Sequence, residues 1–314
     1  MTGTVHVRGA RLPQPDGTLS EPLDLHVVRG RIAAIARAGA RDLAVPDVAG
    51  PEAPTLDAHG RVALPGFVDA HTHAEAAVFE PDVQLAMLRQ GITTIVTGQD
   101  GVSFAPSDPA TYAWASTYFA AIDGDHPAFA GGSVGDLLTT YHRTVPVNVA
   151  YLAPHGTIRY RVLGAAQRPA SDDEIAAMTD LLEQALDDGA CGLSTGLEYV
   201  PAAYADEREL VALAKVVAAR GLPHVSHMRG YEDKGVAGLD ELLRIARASG
   251  VATHVSHLHG PAGDLLDRIG AARAAPMWSS SSRAGPCRCD TWVATPDARA
   301  IRSSSSSPAM PLSS

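Results

Sequence analysis

Lysine is almost missing from this 314-residue chain: Lys215 and Lys234 are the only two. Chemistry that needs a lysine side chain has to use one of those positions. Cysteine is nearly as scarce. Cys191, Cys287 and Cys289 give no disulfide framework, so a reducing cytoplasm is the expected compartment. Positive charge is outweighed, with 25 Lys plus Arg against 35 Asp plus Glu and a net charge of −10. That balance argues against nucleic acid as a partner, because phosphate binding needs a basic surface. No apolar run approaches membrane-spanning length. The N-terminus lacks a basic stretch followed by an apolar one, so neither a membrane partner nor a signal peptide is expected.

What is present is ordinary globular material. The 46% hydrophobic content supports a large core, and the length allows two domains or one barrel with an appendage. Residues 1–61 read as short strands at 5–7, 23–28 and 32–35. Asp16-Gly17 and Arg29-Gly30 are turns, and 24–32 forms a hairpin. From Arg61 onward strand-like runs alternate with helices, the signature of βα units around a parallel sheet. Six strands are expected: 62–68, 93–98, 145–152, 192–195, 223–226 and 251–256. Helices are expected over 81–90, from the Ser171-Asp172-Asp173-Glu174 capping pattern to near Gly189, over 206–220, 239–249 and 262–275. A closed (β/α)8 barrel needs eight strands and about 250 residues. The expectation is therefore a barrel truncated after about six strands.

The stretch Pro65-Gly66-Phe67-Val68-Asp69-Ala70-His71-Thr72-His73 carries the first chemical signal. Residues two apart on a strand share a face, so His71 and His73 can address one point, with Asp69 joining them or orienting an imidazole. Neutral imidazole is a common ligand for zinc-like metals. More polar residues fall at the ends of later strands: Gly98-Gln99-Asp100-Gly101, Pro154-His155-Gly156-Thr157, Gly196-Leu197-Glu198-Tyr199, His227-Met228-Arg229 and His257-Leu258-His259. Barrel active sites sit at the carboxyl ends of strands, so these segments read as one site.

The Pro-Gly-Phe-x-Asp-x-His-x-His stretch resembles the metal-binding signature of the amidohydrolase superfamily, and the downstream motifs resemble its N-acyl-D-amino-acid deacylase (D-aminoacylase) branch. The resemblance covers about residues 1–275. It implies a metal-dependent TIM-type barrel over 62–275, incomplete, and an N-terminal part of a small β-sandwich over 1–61. It implies a zinc-dependent hydrolase of linear amide bonds, turning a small N-acyl-D-amino acid into a carboxylate and a D-amino acid by metal-activated water. Much of the superfamily bridges two metals with a lysine on strand four, and neither lysine here lies there. D-aminoacylases bridge with a cysteine in the glycine-rich turn after strand two. Asp100 stands at that position. By analogy Asp100, His227 and His257 hold the tighter zinc, and His71 and His73 help hold a second, weaker one. The resemblance also implies that Tyr199 contacts substrate. Arg229 is balanced between pairing with a substrate carboxylate and a structural salt bridge. His155 is expected in a structural or substrate-shaping role, and His259 replaces a lysine the family often has.

Other histidines read as packing or surface residues. His224 and His254 each precede a ligand by three, which places both against the helix layer. His126 and His142 read as surface, and His6, His26 and His59 as surface or core. The family's general acid and base is a strand-eight aspartate, and no counterpart is found, so no catalytic acid/base is assigned and impaired turnover is expected. Asp290 is not assigned the role. The composition changes at Pro276: serine runs occupy 279–282 and 303–307, with Trp278, Trp292, Cys287 and Cys289 nearby. Abundant alanine and scarce lysine suggest a GC-rich gene, and 276–314 is expected to be an aberrant, disordered Ser-rich tail, with a frameshift preferred over a flexible linker or interaction tail. Two alternatives stand beside the deacylase reading: a cyclic-amide hydrolase of the dihydropyrimidinase or hydantoinase type, and a non-catalytic metal-binding barrel remnant.

Overall fold

The structure, a computed structural model, describes residues 3–39, 53–231 and 234–274. The chain divides into two units between Gly66 and Phe67. The Ser-rich tail, with Asp290 and the Cys287 and Cys289 pair, lies outside the described residues.

In the first unit β1 (Thr4–Ala10), β2 (Leu23–Val28), β3 (Arg31–Arg37) and β4 (Thr55–Asp57) form one sheet in the order β3-β2-β1-β4. The β2–β3 hairpin turns at Arg29-Gly30, both with positive φ (52° and 76°), as a two-residue turn matched to strand twist requires. β4 was not expected; it runs parallel to β1. Val62, expected to open the first barrel strand, instead bridges Arg11 in this unit. Pro65 has no N–H to donate and Gly66 is a weak strand former, so the run breaks there.

The second unit alternates strands and helices. Its strands are β5 (Phe67–Asp69), β6 (Ile92–Thr97), β7 (Asn148–Tyr151), β8 (Ala153–Pro154), β9 (Leu193–Gly196), β10 (His224–His227) and β11 (Thr253–Ser256). All pair in parallel, as β5-β6-β7 and β8-β9-β10-β11. β7 and β8 are one segment that changes partner at Leu152. Leu152 N–H donates to the Thr97 carbonyl and Ala153 N–H to the Gly192 carbonyl, each at 2.9 Å. Among the described residues six strand segments thus lie where six were expected, except that the first begins at Phe67 and not at Val62. Strand faces alternate: Val96, Leu152 and Val225 pack together on one face, while Ile95, Tyr151 and Leu193 pack on the other among buried helix residues such as Leu182, Leu213 and Ile245. Each such buried aliphatic side chain contributes roughly 1.5–3 kcal/mol.

The helices are α1 (Pro81–Arg89), α2 (Pro109–Tyr118), α3 (Ala120–Asp123), α4 (Val134–Tyr141), α5 (His155–Leu163), α6 (Asp172–Asp187), α7 (Glu207–Ala219), α8 (Gly235–Ser249) and α9 (Ala262–Ala274). Ser171 caps α6 in the expected capping box, and Asp206 caps α7. α8 begins four residues before its expected start. Helices α2 to α4, inserted between β6 and β7, were not anticipated. Their signals were present: Asp108 accepts from Thr111 N–H with Pro109 in the first turn, and Ser133 forms a capping box with Asp136. None of the described helices is long and apolar enough to cross a membrane.

Candidate metal centre

Asp100 is buried and surrounded by imidazoles. Its Oδ2 lies 3.4 Å from His73 Nε2, 3.4 Å from His227 Nδ1 and 3.3 Å from His257 Nε2, and its Oδ1 lies 3.8 Å from His71 Nε2. Strand ends supply most of this. His71 and His73 follow β5 directly and His227 ends β10. His257 comes just past β11 with φ 51°, so its left-handed turn, and not strand alternation, aims it. That turn corrects the expectation for His254. It pairs with Val225 and shares its strand face, and it is exposed. His224 does lie on the opposite face to Val225. There it is buried, with Nε2 2.9 Å from Thr195 Oγ1.

The Asp100 turn is itself mostly left-handed, with φ of 74° at Gly98, 54° at Asp100 and 75° at Gly101. Aspartate tolerates that region better than most residues. The turn lies against neighbouring backbone: a Cβ at Gly196 would run into the Asp100 carbonyl, and one at Gly98 into the Leu152 carbonyl. Ser194 Oγ donates to the Gly98 carbonyl and accepts from Gly101 N–H. Gln99 Nε2 donates to the carbonyls of Ala70, at 2.9 Å, and Val96, at 3.1 Å.

Two acidic residues that the sequence reading passed over lie behind His73. Asp123 Oδ1 is 3.0 Å from His73 Nδ1, and Glu75 is fully buried. Ligand atoms of His73, Glu75 and Asp123 fall within 4.8 Å of one another, as do those of His71, Asp100 and His257. Asp69, by contrast, accepts from the His71 main-chain N–H at 3.2 Å.

Proton affinities follow this clustering. Burial raises the Asp100 carboxyl, but the imidazoles of His227, His73 and His71 that face it hold it well below the usual range. Burial works against a charged His73, yet its bonds to Asp100 and Asp123 and the nearby Glu75 push it up to about 10. Burial, then the Asp123 charge, push Glu75 up to about 8. Burial lowers His71, with Asp100 opposing.

His71 Nε2, Asp100 Oδ1 and His227 Nδ1 are buried without a hydrogen-bond partner. Buried polar atoms are seldom left so. Four imidazoles converging on one carboxylate is a donor set for a borderline transition metal, and the orphaned atoms are the ones a metal would engage. The residues fit the group.

Of the residues expected at the substrate, Tyr199 flanks the centre, its ring 5.0 Å from that of His227. Arg229 is taken up by partners within the chain: Nε donates to Glu241 at 3.0 Å, and the guanidinium also bonds the carbonyls of Leu197, Ala203 and Ala205. His155, expected in a structural or substrate-shaping role, has structural surroundings. It is fully buried, 2.7 Å from Glu209, which also accepts from Arg159 at 3.0 Å. Tyr231, not foreseen, hydrogen-bonds His227 Nε2, and its ring lies 4.7 Å from His259. His126 is buried among Phe79, Phe104, Phe129 and Tyr141, where a surface position was expected; His142 is exposed.

An amidohydrolase family model matches residues 55–291, running past Pro276. The chain is 36% identical over 230 residues to the D-aminoacylase of Alcaligenes xylosoxydans xylosoxydans, covering 73% of this chain and 47% of that protein. It is 38% identical over 221 residues to the N-acyl-D-glutamate deacylase of the same organism, covering 70% and 44%. The crystal structure of N-acyl-D-glutamate deacylase from Bordetella bronchiseptica, complexed with zinc and a phosphonate inhibitor, matches with TM-score 0.69 and 33% identity over 86% of this chain and 56% of that one. A D-aminoacylase structure with a binuclear metal centre matches with TM-score 0.71 and 28% identity over the same shares. The chain spans about half the length of the curated relatives it matches. With its parallel βα architecture and its histidines gathered at strand ends, the chain belongs to the amidohydrolase family and resembles its D-aminoacylase branch.

Proposed function

We propose that this chain carries the metal-binding part of a zinc-dependent amidohydrolase acting on linear amides, with a small N-acyl-D-amino acid as substrate. The observation that carries the reading is the Asp100 carboxylate within 3.3–3.8 Å of four imidazoles. Asp100, His227 and His257 would hold one zinc, and His71 and His73 would help hold a second, with Asp100 shared between them. When bound, such a metal supplies Lewis-acid polarisation of a carbonyl and acidifies water. The chain's own residues orient the donors. Asp123 accepts from His73 Nδ1 and leaves Nε2 to the centre, and Tyr231 bonds His227 Nε2 and leaves Nδ1. Tyr199 borders the space where a substrate carbonyl would lie.

The cyclic-amide alternative depends on a lysine on the fourth barrel strand. That strand is Leu193-Ser194-Thr195-Gly196, and Ser194 there is tied to the Asp100 turn. The test is a zinc titration of the full chain, followed at each occupancy by hydrolysis of an N-acetyl-D-amino acid, its L enantiomer and dihydrouracil. Stoichiometric uptake with weak, D-selective amide hydrolysis that rises with occupancy is the expected result, weak because no counterpart of the strand-eight aspartate is assigned. Uptake without any hydrolysis would favour the non-catalytic reading, and cleavage of dihydrouracil alone the cyclic-amide one.

A further inference from the structure

Glu75 is fully buried two residues beyond His73. Its Oε1 accepts from Gly98 N–H at 2.7 Å and from Ser103 Oγ–H at 3.0 Å. Those two donors bracket Asp100 in sequence. Its own main-chain carbonyl accepts from the buried Tyr141 hydroxyl at 3.0 Å, so Glu75 is anchored at both ends.

The turn it grips is also held by Ser194 and Gln99 and by neighbouring backbone, but its own conformation is a costly one. Three of the four residues from Gly98 to Gly101 are left-handed, and the short 3-10 turn has no side-chain cap. Without Glu75 the Gly98 N–H would be a buried donor with no acceptor, which is costly. The Ser194 tie reaches the same turn from β9. Glu75 reaches it from the segment that bears His71 and His73. Gln99 also ties the turn to this segment, at Ala70, but Glu75 alone of the two takes donors on both sides of Asp100, so the spacing between His73 and Asp100 depends on its side chain.

We infer that Glu75 is a positioning residue that sets the Asp100 turn against the His71–His73 segment, acting through Gly98 and Ser103 and not as a ligand. Its nearness to His73 and Asp123 admits the opposite role, direct coordination, and the two roles part at glutamine. A glutamine oxygen accepts the same two hydrogen bonds, whereas an amide is a poor substitute for a coordinating carboxylate.

The inference rests on the metal-centre reading, and its test separates the two. Co(II) affinity by chelator competition and the Co(II) visible spectrum are measured on the full chain, on Glu75→Ala and on Glu75→Gln. Hydrogen exchange over 98–103 is followed in the metal-free proteins. Expected are a roughly 10–100-fold loss of affinity with an altered spectrum in Glu75→Ala, near wild-type values in Glu75→Gln, and faster exchange over 98–103 in Glu75→Ala alone. Equal losses in both variants would overturn the inference in favour of a ligand, and no change in either would overturn it outright. If Glu75→Ala does not fold, Glu75→Gln decides: retained affinity and spectrum support positioning, and their loss sinks it. If the wild-type chain takes up no Co(II), the metal-centre reading fails, while the exchange over 98–103 still decides whether Glu75 holds the turn.

Discussion

Asp123 Oδ1 stands 3.0 Å from Nδ1 of His73, on the side of the ring away from Asp100, which lies 3.4 Å from Nε2. One imidazole is thus held between two carboxylates, one buried behind it in a helix inserted between strands, the other at the centre.

That arrangement predicts the effect of Asp123→Ala. The His73 ring loses the partner that fixes its tautomer and orientation, and affinity for the metal it helps hold should fall by roughly 10–100-fold. Chelator competition with zinc checks it. An unchanged affinity would mean that Asp100 alone orients the ring.

Asp100→Cys should keep a metal centre and change its preference. A thiolate in place of a carboxylate is a softer donor, so affinity should rise for cadmium and zinc relative to manganese. Asp100→Ala, which leaves the four imidazoles without their central anion, should lose most binding for every metal. Parallel titrations with the three cations would show whether the order shifts.

Arg229 should prove to be a strut. Lysine can occupy only part of the fork that joins Glu241 to the carbonyls of Leu197, Ala203 and Ala205. Arg229→Lys should lower stability by about 1–3 kcal/mol and expose 197–205 to proteolysis. Unaltered thermal unfolding together with weaker binding of a D-amino acid would restore the substrate-carboxylate role.

Acid should destabilise the metal-free protein through two buried neutral histidines. Burial pushes His126 and His224 down to about 4 from an ordinary value of 6.5. As pH falls below 6.5 the unfolded chain takes up protons at these sites and the folded one does not until about 4. Stability is therefore present above 6.5 and lost as pH falls through that window, by about 2 kcal/mol per histidine at pH 5. Urea unfolding at pH 7 and pH 5 measures the slope, and His126→Gln should remove its share. A slope that His126→Gln leaves untouched would place the titration elsewhere.

Much of the architecture was legible because it is periodic. Six strand-like runs separated by capped helices name a βα protein, and glycine after Arg220 and Ser249 marks where helices end. The His-x-His pair was legible because two imidazoles two residues apart, just past the end of β5 at Asp69, can reach one point. Strand alternation failed at His254, since His257 lies beyond its strand in a left-handed turn. Residue type left Arg229 and His155 open between substrate contact and a structural role. Their partners, Glu241 and Glu209, sit in other helices, and sequence spacing carries no information about them.

By itself the sequence determined the residue types and the order of elements. It placed His71, His73, His227 and His257 near strand ends, supplied no lysine for strand four, and put Asp100 in a glycine-bounded turn. Only the tertiary structure decided that these five converge within 3.3–3.8 Å and that Glu75 and Asp123 stand behind them. The physical reason is that alternation and capping act over a few residues. Convergence brings together side chains as far apart in sequence as Asp100 and His257, 157 residues, through a succession of parallel pairings between consecutive strands, and it depends on buried acceptors that must find a donor wherever the packed chain brings one.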